Sequence, residues 1–365
     1  MSQDAMSHNS TATENVETRK PILEAVNLQK YFPVNQNNPF APKQYVHAVE
    51  DATLALYPGH ATALVGESGS GKTTIARMLA RIYDPTGGTM RFQNEDLKLS
   101  RSSSSLRSYR RHVQMVFQDP FGSLNPVHNI RYHLSRPLRI FGHARSRKEV
   151  DEQVLALLNR VSLTPAEQFI EKFPHQLSGG QRQRVAIARA LVAQPEVLLA
   201  DEPVSMLDVS IRLDILNLLL RLKDEEHIAL LFITHDIASA RYFAEDTLVM
   251  YAGQVVEGGP SDEIIQTPKH PYTQLLLSAA PDPQSVREKG KNKLPARGEI
   301  PSLIKPPSGC RFHPRCPHAM PICKERVPGR TDLGNGHWTN CFLYGEGVAE
   351  NGSSVITTVP NQKKS

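Results

Sequence analysis

The segment Gly66-Glu67-Ser68-Gly69-Ser70-Gly71-Lys72-Thr73 has the spacing G-x-x-x-x-G-K-T. Backbone N–H groups of such a loop converge on an anion, and the helix that follows adds its positive N-terminal end. Lys72 is spaced to reach β- and γ-phosphate oxygens, and Thr73 to offer its hydroxyl to Mg²⁺. Thr74 opens the helical pattern that runs on to Ala80, and the apolar run Ala61–Val65 leads into the loop. A strand before and a helix after are what this mechanism requires. The implied chemistry is binding of MgATP, with hydrolysis as its consequence.

Three further groups of residues fit that chemistry. Asp201 and Glu202 end the apolar run Val197–Ala200. An acid at that position can hold Mg²⁺, directly or through water, and its neighbour can polarise the attacking water as a general base. Leu177 precedes Ser178-Gly179-Gly180-Gln181, and an amphipathic helical pattern follows. Ser178 suits an N-cap, and the glycine N–H groups make a second anion site. A single nucleotide does not readily use two such helix starts of one subunit, so the pair suggests a site shared across a dimer. Gln118 and His235 each follow an apolar run, Val113–Phe117 and Ala229–Ile233. The glutamine can sense Mg²⁺ or the attacking water, and the histidine can hydrogen-bond the γ-phosphate.

These groups need a frame that brings four strand ends together. Runs of strand and helix type alternate from Ile22 to about Ala280, which predicts an α/β domain with a mainly parallel sheet. In such sheets ligands bind beyond the carboxyl ends of the strands. Residues 1–20 read as a disordered tail and 281–309 as a Pro- and Lys-rich linker. A cysteine-bearing extension reaches to about 345, and 346–365 form a polar tail. Ser102 to Ser105 reads as a surface loop.

The order of the motifs (phosphate loop, Gln118, Leu-Ser-Gly-Gly-Gln, Ala-Asp-Glu-Pro, Asp208, His235) resembles the ATP-binding cassette of ABC transporters over residues 22–275. The resemblance implies a P-loop cassette with an antiparallel β subdomain and an inserted helical subdomain at about 119–178. It implies a head-to-tail dimer, in which the loop 66–73 of one subunit faces Ser178, Gly179, Gly180 and Gln181 of another, and Asp208 couples the two sites. Phe32, or its neighbour Tyr31, would stack on adenine. Catalytic duties would fall to Glu202, His235 and Gln118, and Mg²⁺ to Thr73, Gln118 and Asp201.

Phe117-Gln-Asp-Pro, Pro174-His-Gln-Leu-Ser-Gly-Gly180, His270-Pro-Tyr-Thr273 and Pro307-Ser-Gly-Cys-Arg-Phe-His-Pro-Arg-Cys-Pro317 resemble the dipeptide/oligopeptide permease ATPases more closely still. That subfamily implies a second cassette subunit, usually a paralogue, together with two membrane-spanning permeases and an extracytoplasmic solute-binding protein. Its members work on the cytoplasmic face of the inner membrane and import peptides, with oligosaccharide or nickel as the variants. A cassette protein acting on ribosomes or DNA is the competing class. Such translation factors usually carry two cassettes, and the DNA-repair members carry long insertions; neither feature is visible.

All four cysteines lie between Cys310 and Cys341, spaced C-x5-C-x6-C-x17-C with His313 and His318 between ligand positions. Cys310, Cys316, Cys323 and Cys341 could hold an iron–sulfur cluster or zinc, or stand as free thiols or a disulfide, and the subfamily resemblance implies a four-iron cluster. The net charge of +5 is mild for this length and does not mark a nucleic-acid binder. The first residues lack an apolar core for a secretory signal, and no apolar run is long enough to span a bilayer. A chain working in the cytosol, attached to the membrane through partners, is the expectation.

Overall fold

The computed structural model describes residues 20–35, 40, 42–97, 103–279 and 299–345. Residues 1–19 and 346–365 of the expected tails, and residues 281–298 of the expected linker, lie outside the described residues.

The chain builds two sheets. Strands β1 (Leu23–Pro33), β2 (Tyr45–Leu56), β4 (Gly87–Phe92) and β5 (Glu95–Asp96) pair antiparallel in the order β2-β1-β4-β5. The larger sheet contains β3 (Ala61–Val65), β6 (Val113–Val116), β7 (Val197–Asp201), β8 (Ala229–Thr234), β9 (Asp246–Tyr251), β10 (Gln254–Pro260), β11 (Thr331–Asp332) and β12 (Trp338–Thr339). Its order is β11-β12-β10-β9-β3-β8-β7-β6, with β9, β3, β8, β7 and β6 mutually parallel. Every residue of β3, β7 and β8 is buried. A strand covered on both faces reads as a near-continuous apolar run, which is why these runs do not alternate and why their few polar residues, Thr62, Asp201 and Thr234, stand out. Their side chains still divide by face: Ala61, Ala63 and Val65 join one apolar core, and Leu64 joins the other.

All four runs expected to end at a polar group are parallel strands of this sheet. β3 leads into the phosphate loop and the helix Lys72–Leu79. Between residues 120 and 176 the regular elements are all helices, with Ile130–Ile140 and Arg147–Arg160 the longest. Asn129 caps the first by accepting from the Tyr132 N–H, and Ser146 and Glu149 form a reciprocal cap on the second.

One reading changes. Ser103 to Ser105 open the helix Ser103–His112 rather than a loop. The buried Tyr109 hydroxyl donates to the Leu79 carbonyl at 2.6 Å, so tertiary anchoring outweighs the weak helix preference of serine. The cysteine-bearing extension packs into the main fold. β12 pairs with β10 and lengthens the main sheet, and Phe312 is buried in the main core with Cys310 and Cys316 packed against it. Among the described residues no helix is long and apolar enough to cross a membrane.

Candidate active site

The loop between β3 and its helix turns on Gly71, whose φ is +109°. A β-carbon there would lie 2.3 Å from the Ala48 carbonyl oxygen, so only glycine lets the loop close against β2. The side chain of Lys72 is folded into the loop. Its ammonium donates to the Gly66 carbonyl at 2.7 Å and to the Glu67 carbonyl at 2.9 Å. Burial pushes the Lys72 ammonium below its ordinary pKa, while Glu202, Asp201 and Glu67 pull it back up. A cation so partly desolvated interacts strongly with an incoming phosphate.

The next residue, Thr73, donates its hydroxyl to Asp201 Oδ1 at 3.0 Å. Adjacent ligand oxygens of an octahedral Mg²⁺ with bonds of about 2.05 Å stand about 2.9 Å apart. The pair therefore fits such an ion in donor type and in spacing. Burial raises the Asp201 pKa, the Thr73 hydrogen bond lowers it, and the adjacent Glu202 raises it. A divalent cation would relieve that strain.

Glu202 occupies the turn after β7 with φ of +46°, a left-handed conformation uncommon for a non-glycine residue. Its N–H donates to the Ile233 carbonyl at 3.0 Å, and its own carbonyl accepts from the Ser205 hydroxyl at 3.1 Å. The strained backbone is thereby held, and the carboxylate is aimed between two neighbouring strand ends. Gln118 Nε2 donates to Glu202 Oε2 at 2.9 Å, and His235 Nδ1 lies 3.4 Å from the same oxygen. So Gln118, Glu202 and His235, which are far apart in sequence, share one carboxylate oxygen. The His235 side chain is 59% exposed and that of Glu202 16%, so the group opens to solvent from the histidine side.

Ser178 caps the helix Gly179–Leu191 by accepting from the Gln181 N–H, while the Gln181 side chain accepts from the Ser178 N–H. This uses Gln181 locally as half of the cap. A β-carbon on Gly180 would lie 2.4 Å from Ile211 Cγ2, and one on Gly179 would lie 3.4 Å from Leu207 Cδ2. The second anion-type helix start is therefore packed against the segment around Asp208, which is exposed at the N-cap of the helix Val209–Glu226.

The two candidate adenine platforms differ. Tyr31 is engaged: its hydroxyl hydrogen-bonds Glu50, and its ring lies 4.5 Å from that of His47. Phe32 is half-buried and meets Tyr83 edge-on at 5.3 Å. Tyr83 in turn accepts from Arg77 of the phosphate-loop helix at 3.0 Å. Phe32 also pairs with Val46, two residues before Ala48, which borders Gly71.

The four cysteines, each partly buried, line one small cavity with His270, Phe312, His313 and His318. Burial pushes the Cys310 thiol up to about 12 and Cys341 to about 11, and the other thiols add to both shifts. The donor set suits a soft metal ion or cluster. The spacing is looser: among the described residues no three His, Cys, Asp or Glu are gathered as they would be around an ion.

Sequence spacing did not reveal what stands behind the phosphate loop. The Tyr272 hydroxyl accepts from the Glu67 N–H at 2.9 Å, and the Tyr272 N–H donates to His270 Nδ1 at 3.1 Å. The fully buried Glu257 accepts from the N–H groups of Lys269 and His270 and from His337. The His-Pro-Tyr-Thr motif is thus a strut from β10 to the loop. The only signal for it was the motif itself, without a mechanism attached.

Residues 49–205 match the family described as ABC transporter, and 256–323 match the oligopeptide/dipeptide transporter C-terminal region. An oligopeptide transport ATP-binding protein of Bacillus subtilis is 40% identical over 326 residues, covering 89% of this chain and 98% of that protein. A dipeptide transport ATP-binding protein of Escherichia coli is 40% identical over 333 residues, covering 91% and 97%. An oligopeptide transport ATP-binding protein of Salmonella typhimurium is 41% identical over 315 residues, covering 86% and 93%. Among solved structures, a dimeric ATP-binding cassette in a post-hydrolysis state with ADP and Pi superposes with a TM-score of 0.57 at 31% identity. That match covers 66% of this chain and 98% of the other.

Proposed function

Because the chain belongs to the ATP-binding cassette ATPases of ABC transporters, in the dipeptide/oligopeptide branch, we propose that it drives peptide uptake by hydrolysing MgATP at a site it shares with a second cassette. The observation that carries the reading is the convergence of Lys72, the Thr73–Asp201 pair and the Gln118–Glu202–His235 group at the ends of parallel strands.

The loop 66–73 holds the phosphates through its N–H groups and Lys72, with Phe32 under the adenine because Tyr31 is already engaged. Thr73 and Asp201 would hold Mg²⁺, with Gln118 reaching them through its bond to the neighbouring Glu202, and a bound ion would supply charge neutralisation on the phosphate oxygens. Glu202 takes the proton of the attacking water as general base, and His235 steadies the γ-phosphate and the base. Ser178, Gly179 and Gly180 serve the nucleotide of the partner cassette, with Gln181 fixing their turn and Asp208 linking the two sites. ATP binding then favours the closed dimer, and hydrolysis releases it.

The partners are a paralogous cassette and two permeases at the cytoplasmic face of the inner membrane, supplied by an extracytoplasmic solute-binding protein. A groove of about 350 Å³ lined by Phe117, Tyr132, Arg136 and Ile140 supports docking of a permease helix. Phe117, which lines it, directly precedes Gln118 in the chain. For the thiol cavity we propose a metal, a four-iron cluster ahead of zinc, around which the thiols would have to close in from their present spacing. Four sulfur donors without a carboxylate among the lining residues support it.

The test is solute uptake by the assembled transporter in sealed vesicles. Labelled di- and oligopeptides should enter with MgATP on the cassette side and compete with one another. Entry of oligosaccharide or nickel without peptide would overturn the peptide reading. Recovery of the chain on ribosomes without membrane proteins would overturn the importer.

A further inference from the structure

Glu67 is an acid inside a loop whose purpose is to hold a polyanion, and a bare carboxylate there opposes the phosphates it borders. The carboxylate is not bare. Arg315, from the cysteine-bearing extension, grips it with two prongs: Nη1 donates to Oε2 at 2.8 Å and Nη2 to Oε1 at 3.0 Å. The Arg315 side chain is 6% exposed and that of Glu67 26%. The guanidinium also stands 5.7 Å from the Tyr251 ring centre and donates to the Tyr251 hydroxyl at 3.4 Å. Its backbone N–H is bound to the Phe312 carbonyl at 2.9 Å, and the Phe312 ring is buried against Tyr251 and Tyr272. The fork is therefore fixed before it meets its acid.

Glu67 is in this way held at three points. Tyr272 takes its N–H, Arg315 its carboxylate, and its carbonyl receives the Lys72 ammonium at 2.9 Å. Two of the three come from beyond β10, in segments outside the phosphate-loop motif. When phosphate oxygens draw Lys72 away, the other two contacts keep Glu67 and its charge where they were.

We propose that Arg315 is a positioning residue of the nucleotide site: it neutralises Glu67 and anchors the phosphate loop to the cysteine-bearing extension, so that this extension sets the affinity for MgATP. The inference rests on the reading of residues 66–73 as the MgATP loop. It makes the Cys310–Cys316 turn part of the nucleotide site, because Arg315 lies within that turn and any rearrangement of it moves the guanidinium. Its chemical logic is charge compensation, which a purely structural contact does not share.

The test is a double-substitution cycle in the full chain within its assembled transporter, reading the Kd for MgATP with a fluorescent nucleotide and separating KM from kcat. R315A exposes the acid and should raise Kd and KM by about tenfold, with kcat changed far less, and the deficit should shrink as salt is added. E67Q removes the acid while the cation stays, and should bind MgATP more tightly than wild type. R315A/E67Q should recover most of the loss caused by R315A. R315K, which keeps the charge without the fork, should fall between wild type and R315A, and it serves as the test if R315A does not fold. Unchanged affinity in R315A, or a double variant as weak as R315A, overturns the proposal. Lys72→Ala is measured alongside; full MgATP binding by that variant would overturn the underlying assignment of the loop, whatever Arg315 does.

Discussion

Replacing Glu202 by Gln isolates charge from shape. The residue is held by its backbone, through the Ile233 carbonyl and the Ser205 hydroxyl, and these contacts do not involve the carboxylate. Gln118 Nε2 can still donate to the amide oxygen that replaces Oε2. What disappears is the proposed acceptor for a proton of the attacking water. General base catalysis is worth about 10²- to 10⁴-fold in rate, or about 3–5 kcal/mol of barrier. The hypothesis therefore predicts a fall in single-turnover hydrolysis of that size with MgATP affinity within about threefold of wild type. Removing a negative charge beside the phosphates should favour binding if it changes it at all. A rapid-quench assay gives the rate and equilibrium dialysis the affinity, and size-exclusion chromatography with MgATP should show the closed cassette dimer accumulating. Hydrolysis at the wild-type rate would remove Glu202 as the base. Equal loss of binding and turnover would show that its role is structural.

Three further outcomes are expected. Phe32→Ala should raise the KM for ATP several-fold while Tyr31→Phe does not, and the reverse order would move the adenine to Tyr31. Cys310→Ser should lower the bound iron or zinc measured by elemental analysis of the purified chain, and an unchanged metal content would clear Cys310 as a ligand. Burial depresses the His270 pKa to about 4, against about 6.5 in the unfolded chain. The unfolded state then binds the extra proton between those values. Stability from this residue is complete above pH 6.5 and is lost as pH falls towards 4, by about 3 kcal/mol in all. His270→Gln should lower the melting temperature at pH 7 yet flatten its fall between pH 6.5 and 4.5. A slope as steep as wild type would exonerate this histidine.

Much of the frame was legible because the parallel strands are covered on both faces and must be continuously apolar. Ala61–Val65, Val197–Ala200 and Ala229–Ile233 could scarcely be read otherwise, and each ends at a chemically distinctive residue. The meeting of Gln118, Glu202 and His235 on one oxygen followed from strand order, which fixed spacing along the chain does not encode. Ser103 to Ser105 misled because composition suggested a loop, whereas the anchor that makes the segment helical, Tyr109, sits further along and acts through Leu79. The way the extension joins the cassette was equally illegible. Its Pro- and Cys-rich sequence looks self-contained, but Arg311, Phe312 and Arg315 interleave with residues that belong to the cassette. Arg311 donates to Glu50 and to the Ala252 carbonyl, and Arg315 to Glu67. Contacts between residues some 250 positions apart leave no local pattern to read.

The central claim is that ATP turnover at this loop powers uptake. It is tested most directly by measuring ATP hydrolysis and peptide entry in the same sealed vesicles, with wild-type chain and with Lys72→Ala in the otherwise intact transporter. The account predicts that both rates collapse together when the ammonium that meets the phosphates is removed. Peptide entry at the wild-type rate with Lys72 replaced would contradict it.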